Sequence, residues 1–277
     1  MNPADVLLAD AAVQALHDEL AAYPKPGLVS PIDSGSHADM DHALMTRSAD
    51  ALHQPFVDLA AAGRQEMPFE TVLRPLGIAA ERRMLAATGG VNTHRGAIFC
   101  LGLVVAAIAR AETRLSSPTA AQVRQGLMDA WGEALTRHAA DGVATESHGG
   151  QVRRTLGREG ARGEAAAGFP GLFDVALPTY RRALAAGLDL NAARIQTLFA
   201  LMAAVDDTTV LHRGGAAADA FVRDRARRFL DQGGCHAENW RAKAEDIHRQ
   251  FVARRLSAGG CADLLAATLL VAARCTS

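Results

Sequence analysis

The sequence predicts an all-α fold, a single globular multi-helix domain over residues 1–277 with about ten helices. Two observations predict it. Ala, Leu and Arg dominate, aromatic residues are 5% and alternating β-branched runs are nearly absent, so propensity and pattern agree on helix. Apolar residues also recur at helical spacing between Pro and Gly breakers. The first helix, near 4–22, carries Leu8, Ala12, Leu16 and Leu20 on one face and ends before Pro24 and Pro26. Helices near 40–62 and 69–87 follow. The next, near 95–112, is Ile, Leu, Val and Ala with almost no charge and reads as buried on most sides. A helix near 119–139 starts after Pro118 and aligns Val123, Leu127, Ala130, Trp131 and Leu135. Asp141 to Gly171 lacks periodicity and holds seven glycines before Pro170-Gly171, which predicts a functional loop and the best lid over a site. Helices near 172–187, 191–205, 215–232, 236–256 and 261–274 complete the chain, the last two each following a Gly-Gly pair. There is no internal repeat and no linker-like tract.

Composition restricts the function. Hydrophobic residues are 49%, ample for a large core, and the formal net charge of -1 offers no bulk field to nucleic acid or an anionic membrane. Cys100, Cys235, Cys261 and Cys275 are far apart with no Cys-x-x-Cys pair, which argues against a zinc knuckle or a disulfide framework and predicts a reducing, cytoplasmic compartment. Asp5 and Asp10 stand where a basic leader would be, and no apolar run is long enough to span a bilayer.

The chemistry-bearing residues gather where helices begin or end. Gly89-Gly90-Val91-Asn92-Thr93-His94-Arg95-Gly96 packs an amide, a hydroxyl, an imidazole and a guanidinium into four positions at a helix start, where unpaired N–H groups suit a phosphate. A plain helix cap with a surface His and Arg explains the same block about equally well. In Tyr23-Pro24-Lys25-Pro26-Gly27, two prolines fix the backbone on either side of one ammonium, or simply stiffen a helix exit. Asp33, Asp39 and Asp41 surround His37 within nine positions, a density that favours a compensating cation such as Mg²⁺, although Asp39 and Asp41 would equally suit a first helical turn. Asp206-Asp207 follows an apolar helix, where acids oppose the macrodipole, so a metal role is favoured. His212-Arg213-Gly214-Gly215 then offers cationic and backbone donors to phosphate.

Nucleotide and hydrolase motifs such as Gly-x-x-x-x-Gly-Lys-Ser/Thr, His-Glu-x-x-His and Gly-x-Ser-x-Gly are absent. Trp131 and Trp240 read as core, and His17, His53, His138, His236 and His248 as helical surface or interface positions without chemistry. On these residues alone two other classes stay open. One is another all-α magnesium-diphosphate enzyme of prenyl synthase or ADP-ribosyl hydrolase type, weakened by Val210 where a third Asp would stand. The other is a non-catalytic helical nucleotide-binding protein.

Several blocks in one order nonetheless resemble a single family, the triphosphoribosyl-dephospho-coenzyme A synthases, over nearly the whole chain. They are Tyr23–Val29, Gly35–Asp41, Gly90–Phe99, Gly160-Ala161-Arg162-Gly163-Glu164-Ala165, His212–Gly215 and Leu256–Ala266. Two departures stand out: Asp207-Thr208-Thr209 where the family usually reads Asp-Thr-Asn, and Leu256-Ser257-Ala258-Gly259-Gly260 where it reads Leu-Ser-Pro-Gly-Gly. The resemblance implies a glycosyl transfer: ATP loses adenine and its triphosphoribosyl group joins the ribose hydroxyl of dephospho-CoA. The product is a prosthetic-group precursor for malonate decarboxylase or citrate lyase, passed on to a separate acyl-carrier-protein transferase. Under that reading His37, Asp41, His94 or Glu164 supply acid–base chemistry. Lys25, Asn92, Thr93, Arg95, Arg162, His212, Arg213 and Gly214 bind substrate and phosphate, and Mg²⁺ is held by Asp206 and Asp207 or by Asp39 with Asp41. Helical enzymes of this size are often symmetric homodimers.

Overall fold

The computed structural model describes residues 2–141 and 160–276. Among them the chain is helical, with one isolated bridge between Thr119 and Thr276 as its sole β pairing. The elements are α1 (Pro3–Ala21), α2 (His42–Ala51), α3 (His53–Arg64), a π turn (Phe69–Leu73) leading into α4 (Arg74–Ala87), α5 (Arg95–Glu112) and α6 (Ala120–Asp141). After the undescribed stretch come α7 (Gly160–Ala166), a second π turn (Gly171–Ala176) leading into α8 (Leu177–Ala185), and α9 (Leu190–Ala204). The chain ends with α10 (Thr208–Asp231), α11 (Trp240–Ala253) and α12 (Gly259–Arg274). No described helix is long and apolar enough to cross a membrane.

The centre of the molecule is a bundle of α1, α3, α5 and α12, each packed on its neighbours. α5 is buried from Ala97 to Ala109 apart from Phe99, as an uncharged helix requires, and α12 is buried almost as completely. The face predicted for α1 is the buried one: Leu8, Ala12, Leu16 and Leu20 are all 2% exposed or less. α3 and α5 approach so closely at Gly63 that a methyl there would overlap the backbone of Ala106. In α12 Thr268 donates to the Leu264 carbonyl at 2.7 Å, and on α6 the buried Trp131 donates its indole N–H to the Met67 carbonyl at 3.0 Å. Trp240 packs partly buried against the core. The four cysteines are free and buried.

Three expectations about elements need correction. The helix expected over 40–62 is two helices, because Pro55 has no N–H to donate to the Ala51 carbonyl and the chain restarts at His53. The helix expected over 215–232 begins at Thr208, with Gly215 at φ 63° as a kink inside it. The span 141–171 is not all loop: Gly160–Ala166 is helical, while residues 142–159, and with them most of the expected lid, lie outside the described residues.

Candidate active site

Gly89 and Gly90, both at positive φ, turn the chain from α4 into α5. His94 is then the N-cap of α5, and the Asn92 side-chain oxygen, two positions earlier, accepts the Arg95 N–H at 3.3 Å. His94 is buried, not a surface residue: it is 4% exposed, its Nδ1 lies 2.7 Å from the Ser48 hydroxyl, and that hydroxyl lies 2.6 Å from Thr93 Oγ1. His94 Nε2 is buried with no hydrogen-bond partner. Burial, with the Lys25 ammonium behind it, lowers the His94 pKa to about 4, so the ring is neutral at pH 7.

The start of α12 meets the start of α5. Asp263, one turn into α12, accepts the Ala97 N–H, and its carboxylate occupies the space where a side chain at Gly96 would be. Burial raises its pKa well above the carboxylate range, helped by Asp207 and Glu19. Asp207 is the N-cap of α10. One of its oxygens accepts the Thr209 and Val210 N–H groups at 2.8 and 3.1 Å, and the other accepts the Cys261 N–H of α12 at 2.9 Å. The reading of Asp206-Asp207 as acids opposing a helix C-terminus is thereby corrected, since Asp207 favours the dipole of the helix that follows and joins two helix starts.

Two cavities adjoin at this junction among the described residues. The first, about 370 Å³, has an apolar side of Phe69, Leu73, Phe99 and Leu103 and a polar side that includes Arg74, Glu81, Arg162, Glu164 and Asp206. The second, about 260 Å³, is lined by Lys25, His37, Asp39, Thr93, His94, His212 and Arg213. Asn92, Arg95, Gly96, Thr209 and Asp263 line both and form the wall between them.

Most of the predicted residues are therefore brought together, but several are already engaged. The Lys25 ammonium is 1% exposed and donates to the Glu19 carboxylate at 2.6 Å and to the Glu19 carbonyl at 2.7 Å, so it is not an open phosphate ligand. Arg213 donates to the Ser36 and Arg255 carbonyls at 3.1 and 3.0 Å and lies 3.2 Å from His37 Nδ1, while His37 Nε2 lies 2.9 Å from Ser257 Oγ. Burial and Arg213 lower the His37 pKa to about 4. Asp39 is 3.9 Å from the same ring. Asp206 pairs with Arg223, and Glu164 accepts the Gly171 N–H at 2.9 Å, with its pKa raised by burial. Asp41 caps α2 through the Leu44 N–H at 2.8 Å and lines neither cavity, and neither does Gly214. Among the described residues no group of three or more His, Cys, Asp and Glu could hold a metal ion by itself.

Sequence reasoning missed Asp263 and His138. Asp263 is the lone acid in an otherwise apolar helix, a signal that could have singled it out. His138 is buried, not superficial, between Phe69 and Phe99 with ring centroids 5.2 and 5.9 Å away, on the apolar side of the first cavity. His248 is also buried, its Nδ1 2.9 Å from the Lys25 carbonyl.

A family model described as CitG, ATP:dephospho-CoA triphosphoribosyl transferase, matches residues 6–276. The chain belongs to this family. A relative from Azotobacter vinelandii, named "Probable 2-(5''-triphosphoribosyl)-3'-dephosphocoenzyme-A synthase", is 42% identical over 267 residues, covering 95% of this chain and 89% of its own length. One of the same name from Acinetobacter calcoaceticus is 39% identical over 93% of this chain and 87% of its own length. No solved structure matches the chain. The family blocks Gly90–Phe99 and Leu256–Ala266 contribute Asn92, Arg95, Gly96 and Asp263, most of the wall between the cavities.

The buried His94 gives the CitG-type site a pH signature. Its folded pKa of about 4 lies below the ordinary 6.5, so between those values the unfolded chain binds more protons and stability falls as pH falls. The raised carboxyls Glu164, Asp207 and Asp263 act in the opposite sense, so the histidine is read by difference. The melting temperature of the native protein should drop more steeply from pH 6.5 to 4 than that of His94→Gln, by up to about 3 kcal/mol of differential stability. Parallel curves would contradict the buried neutral imidazole.

Proposed function

We propose that the chain transfers the triphosphoribosyl group of ATP to the ribose hydroxyl of dephospho-CoA with release of adenine, and that the two adjoining cavities hold the two substrates. The observation that carries this reading is their common polar wall. A ribosyl centre with oxocarbenium character hydrolyses if water reaches it, so donor and acceptor must meet in a space that they themselves fill. The first cavity suits ATP. Phe69, Phe99 and His138 offer an apolar slot to adenine, and Arg74, Arg95 and Arg162 offer charge to the triphosphate. The second cavity suits the acceptor ribose, which its neutral histidines and hydroxyls can hydrogen-bond, His94 Nε2 being a buried polar atom that a substrate hydroxyl would satisfy.

Mg²⁺ is part of this reading. The donor chemistry fits a cation bound largely through substrate phosphates, since Asp206 lines the first cavity as a hard oxygen ligand and no described cluster would cage a metal alone. When bound, Mg²⁺ would neutralise triphosphate charge. The reading also places the enzyme in the cytoplasm, with its product consumed by a separate acyl-carrier-protein transferase in malonate decarboxylase or citrate lyase maturation.

The test is to incubate the protein with ATP, Mg²⁺ and dephospho-CoA and to separate the products by chromatography with mass detection. Free adenine and a coenzyme heavier by one triphosphoribosyl group are expected; ADP, or unchanged coenzyme, would overturn the assignment. Within the site, Arg95→Ala should raise the KM for ATP at least tenfold, about 1.4 kcal/mol of lost binding. Arg95 is 43% exposed and paired with Glu81 at 3.0 Å on the surface side, so its melting temperature should stay within a few degrees. An unchanged ATP KM would remove Arg95 from phosphate binding.

A further inference from the structure

The wall between the cavities contains one carboxyl group, and no functional role has been assigned to it so far. Asp263 faces both cavities from one turn into α12. One of its oxygens is fixed by the Ala97 N–H at the start of α5. It lies against Gly96, where any side chain would overlap the carboxylate. A glycine in the first turn of a helix costs roughly 1 kcal/mol against alanine. Here that cost is offset by letting a carboxylate lie directly against the backbone, with its rotamer held from two sides. Both Asp207 oxygens bind backbone N–H groups, Glu19 pairs with Lys25, Glu81 with Arg95 and Asp206 with Arg223, and Glu164 accepts the Gly171 N–H.

We propose that Asp263 is the catalytic base of the transfer, taking the proton of the acceptor hydroxyl at the wall where donor and acceptor meet. This rests on the transferase reading above. The hydroxyl proton passes to an oxygen of the ionised Asp263 carboxyl, a stronger base than an exposed carboxylate because burial raises its pKa, as the hydroxyl oxygen bonds to the anomeric carbon of the ATP ribose. The bond from that carbon to adenine N9 breaks, and its electron pair leaves with adenine. Adenine takes one proton from water, and Asp263 returns its own to solvent when the products leave, so protons balance over the cycle. The base needs to face both substrates, and among the wall residues Asn92, Arg95, Gly96, Thr209 and Asp263 only the last carries a carboxylate.

The decisive variant is Asp263→Asn, which keeps an oxygen for the Ala97 N–H but cannot accept a proton. General-base loss predicts a fall in kcat of about 100-fold or more. The dissociation constant for ATP, measured by calorimetry without acceptor, should stay within about threefold, and Asp263→Glu should recover part of the rate. Adenine release by the native protein is measured alongside: if the native protein releases none, the transferase reading fails and takes the proposal with it. If the native protein is active and Asp263→Asn retains more than about a third of its kcat, the proposal alone is overturned. Should Asp263→Asn not fold, Gly96→Ala decides, because it pushes the carboxylate off the wall while leaving Asp263 in the chain. A loss of kcat with normal ATP binding supports the base, and an unchanged kcat overturns it.

Discussion

Replacing Lys25 with methionine is expected to lower stability by about 3–5 kcal/mol, because removing one partner of a buried ion pair leaves the other charge uncompensated. For a domain of this size that corresponds to a fall in melting temperature of roughly 10 °C. The pair is closed off from water, with the Lys25 side chain 1% and the Glu19 side chain 7% exposed and 2.6 Å between them. Burial pushes the Lys25 pKa down, and the Glu19 charge and hydrogen bond hold it up. The local sequence builds the contact: Glu19 sits in the last turn of α1, and the Pro24-Lys25-Pro26 segment turns the ammonium back onto the carbonyl end of that turn. Replacing both members, as Lys25→Met with Glu19→Leu, should restore most of the loss, since a packed apolar pair replaces the charges without orphaning either. Thermal melts of the two single variants and the double variant measure the coupling. An unchanged melting temperature in Lys25→Met with a raised KM for ATP would instead make Lys25 a phosphate ligand.

The second large effect belongs to Asp207. Its carboxylate serves three backbone N–H groups in two helices and is 2% exposed, so Asp207→Ala leaves buried donors unpaired at both helix starts. A lost cap costs ~1 kcal/mol and each buried unsatisfied donor ~1–3 kcal/mol, which together predict about 4 kcal/mol. Asp207→Asn should fall between, since its amide presents one oxygen to the cluster and turns N–H groups on the rest. Activity should fall with stability in both, because the α12 start that Asp207 holds carries Asp263. Denaturant melts alongside adenine release check this. Native stability with activity lost in the alanine variant would return Asp207 to a metal-binding role.

The fold was legible where burial follows a period. The four-residue spacing in α1 and the uncharged run of α5 translate directly into a buried stripe and a buried core helix. Boundaries were less legible, although their causes are local. Pro55 splits α2 from α3, and Asp207 with Thr208 and Thr209 starts α10 seven residues before the start expected at 215. The site was half legible. Polar residues at helix starts singled out Asn92 to Arg95, which line the second cavity, but not that His94 would be covered by Ser48 from α2. Which charges remain open to a ligand depends on partners distant in sequence, as with Arg213 spent on Ser36 and Arg255. Asp263 depends on Gly96, 167 positions earlier, and no local pattern announces that contact.

The most direct measurement is the stoichiometry of adenine released from ATP to coenzyme product formed, followed with and without dephospho-CoA. Two cavities sharing one reactive wall predict one adenine per triphosphoribosylated coenzyme and very slow release without acceptor, because the reacting ribose is shielded only when both cavities are filled. Adenine released at equal rates with and without dephospho-CoA would make the protein a nucleosidase and contradict the account.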